Sequence, residues 1–327
     1  MRFLTPALAL ASAAALAAAC LLGSTPLEPA RVLAALVGAA EAGDQIVVWS
    51  IRLPRALAAF CVGAALGLSG AALQGLLRNP LAEPGVLGVS AAASLAATFT
   101  LYYGLAASNP WVMPLAAIGG AVAGTALIAL VALRTTSIVT LILVGVGLAS
   151  FAGAAMSLLM NLAPNPFSLS DMVNWMLGSV ANRSFDDLLF SAPFIGLGAA
   201  VLIASRRGLS ALTLGDEAAA GIGLDLHRQR LAVVLGAGLA TGGAVALAGA
   251  IGFVGIIAPH IVRPWVDHDP ARSLLPSAFL AGLILVLADI GVRLTPTDTE
   301  LKLGVVAALI GAPAFVWIAL ARRSVVD

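Results

Sequence analysis

Stretches of about twenty apolar residues recur along this 327-residue chain, near 4–23, 56–77, 86–105, 112–132, 138–160, 188–205, 274–292 and 303–321. A helix rises about 1.5 Å per residue, so each stretch has the length needed to cross a hydrocarbon layer of about 30 Å. Lipid offers the backbone no hydrogen bonds, so a spanning chain must pair internally, as helices or as a closed barrel. Barrel strands run about ten residues with alternating polarity. The stretches here are longer, unbroken and rich in Ala, Leu and Gly, which predicts an all-α polytopic membrane protein. Composition agrees: 61% of residues are hydrophobic, only 10% are charged, and the mean hydropathy is +1.04. A soluble domain carries about a quarter charged residues, so too few polar side chains remain here to cover a water-facing surface.

A further apolar run, 230–258, is too long for one crossing. It is either one long tilted helix or a full helix followed by a short returning one. The excess of basic residues in cytoplasmic loops decides between them. With the N-terminus in the cytoplasm, ten spans place Arg2, Arg78, Arg134, Arg206, Arg207, Arg228, Arg230, Arg263, Arg272, Arg322 and Arg323 inside. Arg31, Arg52, Arg55, Arg183, Arg293 and Lys302 then lie outside. Nine spans spread the charges almost evenly. The expectation is therefore ten transmembrane helices, with a short eighth one near 252–263 and both termini cytoplasmic. The first run ends in Ala17-Ala18-Ala19-Cys20 and imitates a cleavable leader. Its length favours an uncleaved first span.

The longest polar stretches are 24–55, 161–187 and 206–229, so residues 1–327 read as a single transmembrane domain. Gly63 and Gly67, Gly120 and Gly124, and Gly238 and Gly242 are each spaced four apart, as required where helix backbones touch. Cys20 and Cys61 lie in apolar runs and read as packing residues. The net charge of +1, with no basic stripe, gives nothing for nucleic acid to bind.

Two polar segments stand out, as connectors that fold back on the membrane or as contacts for partners. Residues 206–230 form a long cytoplasmic stretch in which Asp216 and Glu217 precede three alanines, with Gly221 and Gly223 after them. Acids at the start and glycine at the end mark a short helix, which a soluble partner could grip. Trp49–Arg55 leads into the second apolar run with Pro54 at a helix start. Arg52 and Arg55 there oppose the helix dipole, which points either to acidic groups on a partner or to arginines reaching lipid headgroups.

These segments carry a resemblance. Arg52-Leu53-Pro54-Arg55, GAALGLSGAALQGLLRNPLAEPGVLG from Gly63 to Gly88, Leu214-Gly215-Asp216-Glu217-Ala218 with Gly221 and Gly223, and GAIGFVGIIAPHIVR from Gly249 to Arg263 occur in that order. Leu274-Leu275-Pro276-Ser277, Ala288-Asp289, Arg293, Glu300-Leu301 and Gly311-Ala312-Pro313 follow. From about residue 25 to 321 the chain resembles the FecCD or BtuC type of ABC-importer permease, which takes up ferric siderophores, haem or cobalamin.

That resemblance implies a BtuC-like fold in the bacterial inner membrane and a homodimer whose pore lies between the two copies. Two ATP-binding cassette subunits dock on the cytoplasmic face, and a periplasmic substrate-binding protein delivers the cargo. Arg52, Arg55 and Arg293 match the arginines that receive acids of the binding protein. Leu214, Gly215, Asp216, Glu217, Ala218, Gly221 and Gly223 match the segment coupled to the ATPase. Asn79 and Leu81 match part of an inner gate. Ile138 and Val139 occupy, by spacing, the gate position where relatives often carry hydroxyls.

The chain itself is expected to be no enzyme and to hold no cofactor, ATP and Mg belonging to the partner subunit. A phosphate-binding loop needs Gly-Lys-Ser/Thr, and the only lysine, Lys302, sits between Leu301 and Leu303. Asp289 and Arg293, four apart, read as a structural brace. His260 and the Asp267-His268-Asp269 turn read as structural rather than metal-ligating. The rival function is an ion-coupled secondary transporter, which would need intramembrane coupling residues and helices broken at the midplane. The apolar runs contain no ladder of acids.

Overall fold

The computed structural model describes residues 3–23, 25–135, 137–295 and 300–321, with side chains up to residue 316. Arg2, Arg322 and Arg323, which entered the charge count, lie outside the described residues. Ten apolar helices follow in order: α1 Leu4–Leu21, α2 Leu53–Leu77, α3 Val89–Tyr102, α4 Val112–Arg134, α5 Ile138–Asn161, α6 Phe185–Ala204, α7 Leu226–Ala248, α8 Val254–Val262, α9 Pro270–Leu294 and α10 Leu303–Ala321. Shorter helices at Pro29–Leu36, Pro166–Met176, Arg206–Ala211 and Asp216–Gly221 lie between them. α1, α4, α5, α6, α7, α9 and the continuous stretch Ala42–Leu77 are long and apolar enough to cross a membrane, and α3, α8 and α10 are shorter apolar helices.

The long run breaks where ten spans require it. α7 ends at Gly249, whose φ of 72° suits glycine, and α8 opens after Phe253 at φ 67°. The run 86–105 differs from a single span. Pro84 and Gly85 start a tight 3-10 turn at Pro84–Leu87, Gly88 at φ 73° ends it, and α3 begins only at Val89.

α2, α7 and α9 form the centre. In Ala42–Leu77 and in α7, 78% of the most apolar window is buried, against 17% in α5 and α6. The peripheral helices present Leu143, Phe151 and Leu189 outward, each about two-thirds exposed or more, as lipid-facing side chains must be. α2 packs on α9, α7 on α6, α4 and α2, and α3 on α4 and α5. The paired glycines sit at these crossings. A Cβ at Gly63 would lie 2.4 Å from the Ala281 carbonyl oxygen, and one at Gly67 2.4 Å from that of Ser277. Gly120 meets the Ala92 carbonyl oxygen in the same way, while Gly124, Gly238 and Gly242 leave room for the side chains of Ala92, Thr125 and Ala121. Without a hydrophobic drive in lipid, such backbone contact is what helix association relies on.

Candidate functional site

The two ends of α2 each gather charge. They lie about 35 Å apart, at 1.5 Å per residue from Arg55 to Arg78.

At the first end, the chain enters α2 through a wide-turned π-helical stretch, Ile46–Arg52, that continues Ala42–Gln45. Pro54 and the arginines therefore stand inside a continuous helix. The expectation that Arg52 and Arg55 oppose a free helix N-terminus is corrected. Arg52 is 4% exposed and turns away from its own helix. Its guanidinium donates to the carbonyls of Cys20 and Leu21 at 2.8 and 2.9 Å and to that of Thr25. Arg293 donates to the carbonyls of Ala19 and Leu22 at 3.0 and 3.2 Å. The last carbonyls of a helix have no partner within it and form its negative end. Two arginines from distant helices thus cap the C-terminus of α1.

Arg55 joins the same cluster from α2. Its Nε donates to Asp289 Oδ1 at 2.8 Å, and its Nη2 pairs with Glu300. Asp289 is fully buried and also faces Arg293 Nε at 3.1 Å, so the expected brace is present and is wider than the local pair. Between these groups lies a pocket of about 380 Å³ lined by Arg52, Arg55, Arg293, Glu300 and Thr25. Three cations against two carboxylates leave one positive charge at its wall.

At the second end, α2 stops at Arg78, which holds a left-handed φ of 48°. The expected helix in 206–230 is present as Asp216–Gly221, entered through Gly215 at φ 96° and left through Gly223 at φ 92°. Leu214 and Ile222 are 65% and 68% exposed, with Glu217 and Ala218 exposed between them. Ala219 is the buried side of this helix and anchors it in the core. Asp216 pairs with Arg78 at 2.5 Å and with Arg230 at 2.6 Å. Nothing in the order of residues announces these two arginines as its partners. Arg230 gives one cue, as a charge standing early in an apolar helix.

The expected gate residues follow Arg78. Asn79 is half-buried and closes its own turn, its Oδ1 accepting from the Leu81 N–H at 3.0 Å. Glu83 reaches across the fold, and its Oε2 accepts from the Phe253 N–H at 3.1 Å, at the entry to α8. Burial pushes the Glu83 carboxyl above its ordinary range, and the Phe253 N–H pulls it back. The turn 84–87 packs on α5, where a Cβ at Gly145 would lie 2.3 Å from the Val86 carbonyl oxygen. Ile138 is half-buried against the core, while Val139 is 65% exposed. Among the described residues, Ser137 brings a hydroxyl here, its Oγ capping α5 by accepting from the Thr140 N–H at 3.2 Å, and Thr135 Oγ1 accepts from the Ser137 N–H at 3.0 Å.

Among the described residues, no group of three or more His, Cys, Asp or Glu could hold a metal ion. Asp267 and Asp269 are taken up by Arg272 at 3.4 and 3.3 Å.

Residues 9–321 match the FecCD transport family. The chain is 40% identical over 285 residues to the uncharacterized ABC transporter permease protein YvrB of Bacillus subtilis, covering 85% of this chain and 79% of that one. It is 39% identical to the vitamin B12 import system permease protein BtuC of Salmonella typhi (86% and 85% covered) and 40% identical to that of Vibrio cholerae (84% and 82%). A solved ABC transporter assigned to the metal-chelate type, in an inward-facing conformation, superposes with a TM-score of 0.88 at 28% identity, covering 98% of this chain and all of the other. With a family match that spans nearly its whole length, this chain belongs to the FecCD transport family and is a non-catalytic, multi-pass permease subunit of the bacterial inner membrane.

Proposed function

We propose that this chain forms, with a second copy of itself, the membrane pore of an ATP-driven importer for a metal chelate. The observation that carries this reading is the short helix Asp216–Gly221, seated on the core by Ala219 and presenting Leu214, Glu217, Ala218 and Ile222 outward. A chain with no phosphate-binding loop needs an external engine, and this apolar ridge with one acid is a surface two ATP-binding cassette subunits can drive. Gly215 and Gly223 frame it as the bends at which it can tilt. In this reading the helix faces the cytoplasm, as do both termini.

The opposite end receives the substrate-binding protein. A partner carboxylate entering the arginine pocket completes the charge balance there and competes with Glu300 for Arg55. Bidentate arginine contacts of this kind orient as well as attract. Asn79 and Leu81, with the start of α5 at Ile138 and Val139, form the inner gate, and Ser137 supplies the hydroxyl that spacing alone assigned one position later. Closure of the ATPase pair shifts the 214–223 segment and exchanges the inward- and outward-open states. Among metal chelates, cobalamin is the first to test, because vitamin B12 permeases are among the relatives matched over most of the chain. Ferric siderophores and haem follow.

The test is ATP-dependent uptake into vesicles carrying this chain, its ATPase and its binding protein. Glu217→Arg is expected to leave the complex assembled and to uncouple ATP hydrolysis from uptake. Normal uptake by that variant, or uphill transport by the permease alone under an ion gradient, sinks the reading.

A further inference from the structure

The helix Asp216–Gly221 opens with two acids that face in different directions. Glu217 is exposed on the outward ridge. Asp216 is half-buried and turned toward the membrane helices. One of its oxygens accepts from Arg78 at 2.5 Å and the other from Arg230 at 2.6 Å. Arg230 stands in the second turn of α7 and is 2% exposed. Arg78 caps α2, holds a left-handed backbone, and is the residue immediately before Asn79. A single carboxylate thus joins the outward helix, the buried central helix α7 and the residue that leads into the gate loop. That loop is held again at Glu83, which accepts from the entry of α8.

We propose that Asp216 is the positioning residue through which movement of the 216–221 helix reaches the 79–83 loop, with Arg78 as the link and Arg230 as the fixed post. This rests on the reading of 206–230 as the ATPase contact. A carboxylate shared by two guanidiniums can pivot on the buried one while it pulls the half-exposed one. The backbone change is taken up at Arg78, where a left-handed residue flanks an Asx turn closed by Asn79. The bridge therefore has one stationary and one movable side.

The probe is a cysteine at Leu81 in a chain with Cys20→Ala and Cys61→Ala, reconstituted with ATPase and binding protein. The rate of its modification by a water-soluble thiol reagent is read with and without ATP. Arg78→Gln is the primary variant, because Arg78 is 41% exposed and its loss leaves Arg230 paired with Asp216. The ATP-dependent change in labelling is expected to fall about tenfold, within the range of a coupling lost at one contact, and uptake per ATP to fall with it. Arg78→Lys restores part of both. Adding Asp216→Asn to Arg78→Gln takes the ATP-dependent change in labelling no lower, because the two residues act as one link, while the melting temperature falls because buried Arg230 loses its acid.

Full ATP-dependent labelling in Arg78→Gln overturns the proposal, as does a parent protein whose position 81 ignores ATP. Glu217→Arg separates the two levels. If it abolishes uptake while Arg78→Gln behaves as the parent, the segment drives transport by another route. If both transport normally, the ATPase reading of the segment falls as well.

Discussion

The two ends of α2 are built from the same side chains and do opposite things with them. At the first end, Arg52 and Arg55 are buried, the Arg293 side chain is 7% exposed, and the three are anchored to carbonyl oxygens at the end of α1, to Asp289 and to Glu300. At the second, Arg78 is exposed over two-fifths of its side chain and depends on one carboxylate carried by a six-residue helix between two flexible glycines. The first arrangement fastens α1, α2, α9 and the approach to α10. The second connects a surface helix to a turn. Arginine and carboxylate chemistry is common to both, and burial together with backbone freedom decides which becomes a brace and which a joint.

This contrast predicts a graded set of outcomes. The largest effect belongs to Asp289→Ala, which leaves Arg55 and Arg293 buried without their shared acid. Removing one partner of a buried ion pair costs about 3–5 kcal/mol, so thermal unfolding in detergent should show severe loss of folded protein. A variant melting within a few degrees of the parent would mean that the carbonyls alone hold these arginines.

Next is Gly63→Val, which drives a side chain into the Ala281 carbonyl. Overpacking of this kind costs about 1–3 kcal/mol, and the melting temperature should fall with α2 and α9 forced apart. Glu83→Ala follows, at about 1 kcal/mol for the lost hydrogen bond to the part-buried Phe253 N–H. Glu83→Gln, which keeps an acceptor, should recover most of that loss. Equal losses for the two would show that charge, not the hydrogen bond to Phe253, holds the loop. The smallest effect is expected from Asp225→Asn. Its pair with Arg228 is largely solvated, exposed pairs contribute little, and Asn remains a good helix cap. A clear drop in melting temperature would show that the outward face is more tightly organised than its exposure implies.

Much of the architecture was legible because membrane crossing sets a length. The run 230–258 was too long for one helix, and the distribution of Arg263 and Arg272 placed a turn before them. The structure breaks it between Gly249 and Phe253. Helix existence was readable, while the wide-turned Ile46–Arg52 was not, because π-helical turns leave no periodic signature in so short a segment. The same limit explains the misjudged helix start at Pro54. At the sites, the resemblance marked Arg52, Arg55 and Arg293 but could not reveal their occupants. Arg55 meets Asp289 across 234 residues and Arg293 meets Ala19 across 274, and no local pattern encodes such distances. Asp216 stood out as an acid at a helix start, whereas its attachment to Arg78 is a tertiary fact. Glu83 was visible only as one letter of a longer motif.

The glycine seam between α2 and α9 has a mechanical consequence. With carbonyl oxygens of α9 seated where side chains of Gly63 and Gly67 would otherwise lie, no lubricating layer separates the two backbones. They form a keel that can turn as a whole but cannot shear along its length. In the proposed transport cycle, opening and closing are then taken up beside that keel, in the 79–83 loop at the end of α2 and in the outer helices.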